Sequence, residues 1–550
     1  MTESYSMPRR GFLGAAAAAA GATLLPLQPA RATRPSDVPE RLPTVAPFEL
    51  EEKTIAELQA GIGSGQYTAR SLVEQYLGRI EALDRQGPVL RHVIETNPDA
   101  LAIAEELDAE RRSGRVRGAL HGIPVLVKDN IDTADRMTTT AGSLALEGSR
   151  PSRDAFVVAR LRAAGAIILG KTNLSEWANF RSTHSSSGWS ARGGQGRNPY
   201  ALDRTPSGSS SGSGGGTAAS YCAVAVGTET DGSVTSPAAA CSLVGMKPTL
   251  GLVSRSGIIP IAHSQDTAGP MTRTVTDAAI LLGALAGADE RDAATVPRRA
   301  ATPVDYTRFL DAGGLRGARI GVARKRYTGY NTHADAALEQ ALRAMSDLGA
   351  VIVDPADLAT AGQFDDAEYE VLLYEFKSDL EAYLRGLPPG ARVRTLQDLI
   401  AFNRAHAAEE LPYFGQEILE LAAKKGSLTS AAYRTALAKC RDLSRAKGLD
   451  ATFAKHRLDA LVAPTQGPPA LIDLVNGDPS GGSSTSPCAV AGYPAITVPM
   501  GYAHGLPLGL TFMGRAWSEP VLLKFAYAFE QATKVRRAPR YLPTAELPPA

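Results

Sequence analysis

Residues 154–170 read DAFVVARLRAAGAIILG, a helix-forming segment followed at once by a strand-forming one. The first part, 154–164, has a helical pattern that ends at Gly165, and the apolar run 166–169 has the length and composition of a buried strand. Seven similar runs occur elsewhere in the chain, at residues 124–127, 223–226, 319–322, 351–353, 458–463, 495–498 and 508–512. The chain therefore repeats short Val- and Ile-rich strands between longer segments.

Helical patterns fill the space between these runs. They include a segment capped by Thr68 that reaches residue 83, a second from Asn97 to Gly114, and further ones at 276–285, 334–348, 369–384 and 520–533. Alternating strands and helices predict a single large α/β domain, with a mixed, mostly parallel central sheet covered by helices on both faces. We place this domain at residues 49–540, after a linker at 33–48 and before a tail at 541–550. The Gly- and Ser-rich segment 477–487 is interpreted as a mobile surface loop.

The first 32 residues resemble an export signal. Arg9 and Arg10 precede Gly11-Phe12-Leu13 and an alanine-rich apolar run, and Ala30-Arg31-Ala32 fits a small-x-small cleavage site. The paired arginines resemble a twin-arginine signal. The sequence thus predicts a periplasmic or secreted protein that meets the twin-arginine export machinery in transit and has no stable membrane association after cleavage. A disordered basic N-terminus is the alternative.

Composition excludes several classes of function. With 58 basic and 57 acidic residues, the net charge of +1 gives no overall field to attract nucleic acid, so no nucleic-acid partner is expected. The four cysteines, Cys222, Cys241, Cys440 and Cys488, lie far apart without metal-ligand spacing. We therefore expect no metal and no cofactor. Oligomeric state and disulfide pairing do not follow from the sequence.

Two familiar motifs have the wrong surroundings. Residues 165–172 match the phosphate-loop pattern G-x-x-x-x-G-K-[ST], but their four middle residues form an apolar strand rather than a turn. Residues 208–212 match the nucleophile elbow G-x-S-x-G, which would make Ser210 the nucleophile of a Ser-His-Asp hydrolase with His406, His456 or His504 as its base. The polar segment 200–207 is unlike the strand that an elbow requires. A flexible Ser/Gly linker is the third interpretation of this segment.

A third set of motifs uses more of the chain. Three segments together resemble the amidase signature family. They are Gly122-Ile123-Pro124-Val125-Leu126-Val127-Lys128-Asp129-Asn130, Ser207-Gly208-Ser209-Ser210-Ser211-Gly212-Ser213 and Gly227-Thr228-Glu229-Thr230-Asp231-Gly232-Ser233-Val234. The last two lie in the stretch 188–251, which holds 13 of the 53 glycines. The family's two serines are 24 positions apart, and so are Ser209 and Ser233. Further segments resemble the family in order from about residue 50 to 535.

The resemblance implies a Ser-cisSer-Lys triad. Ser233 would be the nucleophile and Lys128 the base, with Ser209, held through an unusual cis peptide bond, passing the proton between them. Since lysine has an ordinary pKa of about 10.4, burial after residues 125–127 would have to keep Lys128 neutral. The backbone N–H groups of Thr230, Asp231, Gly232 and Ser233 would bind the oxyanion of an acyl-transfer reaction that releases ammonia. Many members have Gly-Gly-Ser where this chain has Asp231-Gly232-Ser233.

Segments 175–181, 188–194 and 372–377 are most similar to the peptide amidase branch of the family, which removes the C-terminal amide of peptides. The expected substrate is therefore a small-molecule or peptide amide, and Trp177, Phe180, Tyr374 and Phe376 are candidates for the walls of a peptide groove. An export signal argues against the tRNA-dependent transamidating branch. The alternatives are a broad-specificity aliphatic or aryl amidase of the same family and an exported binding protein without catalysis.

Overall fold

A computed structural model describes residues 45–295, 305–479 and 481–547. The strand-helix-strand unit predicted around residues 154–170 is present: strand β2 (Pro124–Lys128) is followed by helix α4 (Phe156–Ala163) and strand β3 (Ile167–Thr172). The two strands pair in parallel, with Pro124 opposite Ile167 and Lys128 opposite Thr172. The predicted export signal, residues 1–32, lies outside the described residues.

Eleven strands form one central sheet. In the order β1-β3-β2-β6-β8-β7-β12-β13-β11-β9-β10, it joins β2 and β3 to β1 (Val93–Thr96), β6 (Val224–Glu229), β7 (Val244–Lys247), β8 (Thr267–Thr272), β9 (Arg319–Val322), β10 (Val351–Val353), β11 (Ala460–Pro464), β12 (Ala495–Ala503) and β13 (Leu506–Met513). Two short strands, β4 (Trp189–Ser190) and β5 (Gly194–Gln195), form a separate pair. Every residue of β2, β3 and β6 is buried. Because successive side chains of a strand point to opposite faces, both faces of the sheet are covered there.

The sheet is mixed, as predicted, but the expectation that it is mostly parallel is wrong. Of the ten strand pairings in the described sheet, four are parallel and six antiparallel. Strands β1, β7 and β8 were not predicted, since they are short or interrupted by glycine and proline, and they make four of the antiparallel pairings. A fifth is the tight hairpin between β12 and β13.

The helices include those predicted. Their bounds are α1 (Ile55–Ser64), α2 (Ala69–Ile80), α3 (Ala100–Arg112), α5 (Ser211–Ala218), α6 (Thr235–Ala240), α7 (Val275–Leu285), α8 (Thr332–Asp347), α9 (Asp365–Arg385), α10 (Leu396–Ala405), α11 (Ala407–Glu410), α12 (Glu417–Ala423), α13 (Ala431–Arg441), α14 (Asp450–His456), α15 (Ser486–Ala491) and α16 (Glu519–Thr533), in addition to α4. As expected, Thr68 caps α2 by accepting a hydrogen bond from Ser71 N. No helix in the described part of the chain is both long and apolar enough to cross a bilayer.

The chain on either side of the main elements packs against them. Phe48, in the predicted linker, contacts Tyr76 edge to face, with ring centroids 5.9 Å apart. Tyr541, in the predicted tail, is buried, and its hydroxyl accepts a hydrogen bond from Arg79 at 3.1 Å. All four cysteines are buried and free.

Candidate active site

Lys128 is the last residue of β2, and its side chain is completely buried. Its Nζ donates to Ser209 Oγ at 2.7 Å, to Thr228 Oγ1 at 2.9 Å and to the Thr228 carbonyl at 3.3 Å. The sheet creates this contact, because β2 pairs in parallel with β6, which ends just beyond Thr228. Three acceptors around one amine satisfy all the N–H groups of an ammonium.

Burial lowers the pKa of Lys128 to about 7, while the negative charges of Asp266 and Glu229 act in the opposite direction. The physical cause is desolvation, which disfavours the charged form of a buried amine. A large fraction of Lys128 is therefore neutral at physiological pH. A neutral amine in this place can accept a proton from the hydroxyl group that touches it.

Ser209 lies beyond a cis peptide bond between Gly208 and Ser209, as the family resemblance implies, and is completely buried. Its carbonyl accepts a hydrogen bond from Ser175 N at 3.0 Å. The following residue, Ser210, donates its N–H to the Ser233 carbonyl at 3.1 Å. This backbone bond holds the segments of Ser209 and Ser233 side by side, so the segments that carry the three predicted triad residues lie together although they are far apart in the chain.

Residues 230–233 form the turn between β6 and α6, which we name the oxyanion turn after the role that the family resemblance implies for its N–H groups. Gly232 has φ +77°, and an added Cβ would lie 2.9 Å from Ser236 Oγ and 3.0 Å from Thr485 Oγ1. Both the left-handed backbone and the lack of space require glycine. Among the described residues, none accepts a hydrogen bond from the N–H of Asp231, Gly232 or Ser233. These donors are thus available for a ligand.

Glu229 fixes the far side of the turn. Its Oε2 accepts hydrogen bonds from Val234 N at 2.8 Å and from Thr235 N at 2.9 Å, at the beginning of α6. A carboxylate in this position satisfies backbone donors that would otherwise be unpaired at the start of the helix. Burial nevertheless raises the pKa of Glu229, which the nearby Lys247 opposes.

Sequence reasoning missed several residues of this site. Thr228 and Asn130 stand inside the quoted motifs but received no role, although Asn130 Nδ2 donates to Thr228 Oγ1 at 3.0 Å and so fixes the hydroxyl that binds Lys128. Thr485 was expected in a mobile surface loop, yet it is buried and donates to Asp231 Oδ1 at 2.5 Å. Its contact joins residues 254 positions apart, which no local pattern predicts.

The four aromatic candidates for a peptide groove are buried in the core instead. Trp177, Phe180 and Phe376 belong to one hydrophobic cluster and Tyr374 to another, and none is more than 8% exposed. Phe180 and Phe376 pack with ring centroids 5.1 Å apart. Large aromatic surfaces gain more from this packing than from an open wall, so the structure corrects the prediction of a groove lined by these residues.

A cavity of about 200 Å³, open to solvent, lies beside the site. Its lining includes Asn130, Thr228 and Thr230, and Ile258, Ile259, Pro260 and Ile261 contribute apolar surface. Charged residues at its walls include Arg255, Asp292, His263 and Asp379. Neither Lys128, Ser209 nor Ser233 lines this space directly, so the cavity meets the lysine and the oxyanion turn through Thr228 and Thr230.

One group of side chains in the described part of the chain has the geometry to offer three atoms to a metal ion: His263 and Asp379, which line the cavity, and the buried Glu375. These atoms already pair with one another. His263 Nδ1 lies 2.8 Å from Asp379 Oδ2, and its Nε2 lies 3.4 Å from Glu375 Oε1. The carboxylates raise the pKa of His263, Asp379 most strongly, as expected for an ion-paired imidazolium, and we assign no metal to this group.

The two competing motifs do not form sites. Lys171 lies inside strand β3, where its Nζ donates to the Ile131 carbonyl at 2.6 Å, so residues 165–172 are a strand and not a phosphate loop. Ser210 follows an irregular segment rather than a strand. Its hydroxyl donates to the Thr228 carbonyl at 3.0 Å and not to a histidine, which does not support the nucleophile elbow.

The fold and the site define an α/β protein with a buried lysine beside two serine-bearing segments and a turn of open backbone donors. A family model described as Amidase matches residues 71–523. The chain therefore belongs to the amidase family and is an amide-hydrolysing enzyme.

Individual relatives agree with this assignment. The peptide amidase from Stenotrophomonas maltophilia is 54% identical, with 90% of this chain and 99% of that chain covered and a TM-score of 0.86. A probable amidase of Arabidopsis thaliana is 43% identical over 504 residues, covering 90% of this chain and 93% of the relative. An amidase family protein from Bacillus anthracis is 37% identical, with 89% of this chain and 93% of that chain covered and a TM-score of 0.80.

Proposed function

We propose that this amidase removes the C-terminal amide of peptides through a Ser233-Ser209-Lys128 triad and an acyl-enzyme. The observation that carries the proposal is the 2.7 Å contact between Lys128 Nζ and Ser209 Oγ in a buried site. A lysine held there with a lowered pKa has no evident structural purpose that a neutral residue would not serve better.

The proton route follows from the contacts of Lys128. When Lys128 is neutral, its lone pair accepts the hydroxyl proton of Ser209, and its two N–H groups still have Thr228 Oγ1 and the Thr228 carbonyl as acceptors. Ser209 in turn takes the proton of Ser233. The Ser233 oxygen then forms a bond to the amide carbon, and the turn 230–233 offers N–H donors to the developing oxyanion.

Collapse of this intermediate breaks the C–N bond. The proton returns from Lys128 through Ser209 to the nitrogen, which leaves as ammonia, and the acyl group stays on Ser233 as an ester. Water then attacks the ester by the same proton route and releases the acid. No group beyond the protein and water is needed to balance these steps.

Two observations support a peptide amide as the substrate. The similarity to the peptide amidase of Stenotrophomonas maltophilia extends over 90% of the chain at 54% identity. The cavity that Thr228 and Thr230 help to line combines apolar with charged residues, a lining that suits a peptide better than a small aliphatic amide. We further propose that residues 1–32 direct export, which would bring the enzyme to external peptides.

Ammonia release tests the function directly. We expect a peptide amide to have a higher kcat/KM than propionamide or benzamide, and mass spectrometry to show the free acid with internal peptide bonds intact. Activity confined to the simple amides would contradict the peptide proposal, and the absence of any ammonia from all three would contradict catalysis.

Variants test the triad on the same substrate. Ser233→Ala should lose at least about 10⁴-fold in kcat, the scale seen when a member of a serine triad is removed. Ser236→Ala, three residues further on in α6, is the matched control and should keep wild-type turnover. Equal turnover in Ser233→Ala and Ser236→Ala would refute the nucleophile.

A further inference from the structure

The side chain of Asp231 projects from the oxyanion turn and meets a second carboxyl group. Asp231 is half-buried, whereas its neighbour Glu368, in the first turn of α9, is 8% exposed. The two carboxyl groups lie within hydrogen-bonding reach of each other. Since a hydrogen bond between carboxyl groups requires a proton, and two adjacent buried carboxylates repel, the pair holds one proton.

The surrounding donors decide which group holds that proton. Asp231 Oδ1 accepts from Thr485 Oγ1 at 2.5 Å, and Ser486 lies close enough to lower the pKa of this carboxyl group. Glu368 accepts one bond, from Gln265 Nε2 at 2.9 Å. Burial first, and the charge of Asp231 second, raise the pKa of Glu368 well above its usual range. Asp231 is therefore the carboxylate and Glu368 the acid that donates to it.

The same network reaches the backbone of the turn. Gln265 Nε2 also donates to the Thr230 carbonyl at 3.3 Å. Gln265, Glu368 and Thr485 thus come from three different segments and bind two consecutive residues of the turn, Thr230 and Asp231. The peptide group between those residues carries the N–H of Asp231, which the proposed function assigns to the oxyanion.

We propose that Glu368 is a positioning residue, whose protonated carboxyl group holds Asp231 and with it the oxyanion turn. The inference rests on the proposed function, since it concerns the same turn. Loss of the Glu368 proton at alkaline pH would place two negative charges beside the group that must stabilise an oxyanion. The turnover number should then fall as Glu368 ionises.

Other ionisable groups face this pair and are part of its titration. Asp231 is near Lys247, Glu229, Tyr327 and Cys488, and Glu368 is near Asp365 and Cys440. Only Lys247 carries positive charge among them. The environment is therefore predominantly acidic or neutral, which favours retention of the shared proton.

The test is the pH dependence of kcat for a peptide amide in three variants of α9. Glu368→Gln keeps a donor towards Asp231 but cannot ionise. We expect it to retain kcat within about threefold at pH 7 and to lose the alkaline decrease of the wild type. Glu368→Ala removes the donor and should lose about 10- to 100-fold in kcat with little change in KM, because the oxyanion donors are displaced. Glu381→Gln, on the same helix, is the control and should follow the wild type.

An alkaline decrease that is unchanged in Glu368→Gln, or a Glu368→Ala variant with wild-type kcat, would overturn the inference. If Glu368→Gln does not fold, Asp231→Asn serves instead: its alkaline decrease must move, because Glu368 loses the neighbouring carboxylate, and an unmoved decrease overturns the inference. A failure of the proposed function looks different, since the wild type itself would then release no ammonia from the peptide amide.

Discussion

Acidification should switch off this enzyme through a single residue, Lys128. Its pKa is about 7, because burial disfavours the ammonium. In the proposed mechanism the neutral base is the active form, so kcat/KM should rise with pH to a maximum above pH 7, before the alkaline decrease that we assign to Glu368. At pH 5 about 1% of Lys128 is neutral, and kcat/KM should be about 100-fold below its plateau. A lysine with its ordinary pKa would instead place this decrease near pH 10.

The assay is ammonia release from a peptide amide between pH 5 and 8.5, at constant ionic strength and with substrate below KM. The variant Asp266→Asn tests the direction in which the pKa of Lys128 moves. The negative charge of Asp266 raises the pKa of Lys128, so its removal should move the acid limb to lower pH. Asp473→Asn, at a partly exposed position outside the site, should leave the limb unmoved. A profile that is flat between pH 5 and 8, or a limb that moves upward in Asp266→Asn, would refute the reasoning.

Three further predictions concern stability and the turn. Lys128→Met should have a higher free energy of unfolding than the wild type below pH 7. This difference should shrink by about 5 kcal/mol as the pH rises from the folded pKa of about 7 to the unfolded value of 10.5. Urea titration measures it, and a pH-independent difference would contradict the prediction. Arg181→Met should cost about 3 to 5 kcal/mol in the same assay, because Arg181 is buried between the carboxylates of Glu176 and Glu410. Gly232→Ala should lower kcat at least about 100-fold with a folded protein, since the backbone there has φ +77°; unchanged turnover would show that the turn tolerates a side chain.

Much of the architecture and the centre of the site could be predicted from the sequence. Alternating apolar runs and helical patterns place β2, α4 and β3 correctly, because burial imposes those periods. Lys128, Ser209 and Ser233 lie in contiguous motifs with a fixed spacing, and the structure brings their segments together. A sequence motif can identify these residues because it depends only on the amino acids next to them in the chain.

The remainder depends on contacts between distant segments. Strands β7 and β8 escaped prediction because Gly245, Gly269 and Pro270 interrupt their apolar pattern, and they account for much of the antiparallel pairing. The aromatic residues of α9 are compatible with either a core or a groove until the packing of the helix is known. Glu368 has no feature in its own segment that indicates a partner 137 residues away.

The central claim, that Ser233 is the nucleophile, is tested most directly by mass spectrometry of the protein after reaction with a sulfonyl fluoride. Peptide mapping should locate one covalent adduct on Ser233, and the adduct should disappear in Ser233→Ala. Because Lys128 must be neutral to activate Ser233, labelling should also slow below pH 7. An adduct on Ser210, or labelling of Ser233→Ala at the wild-type rate, would contradict the account.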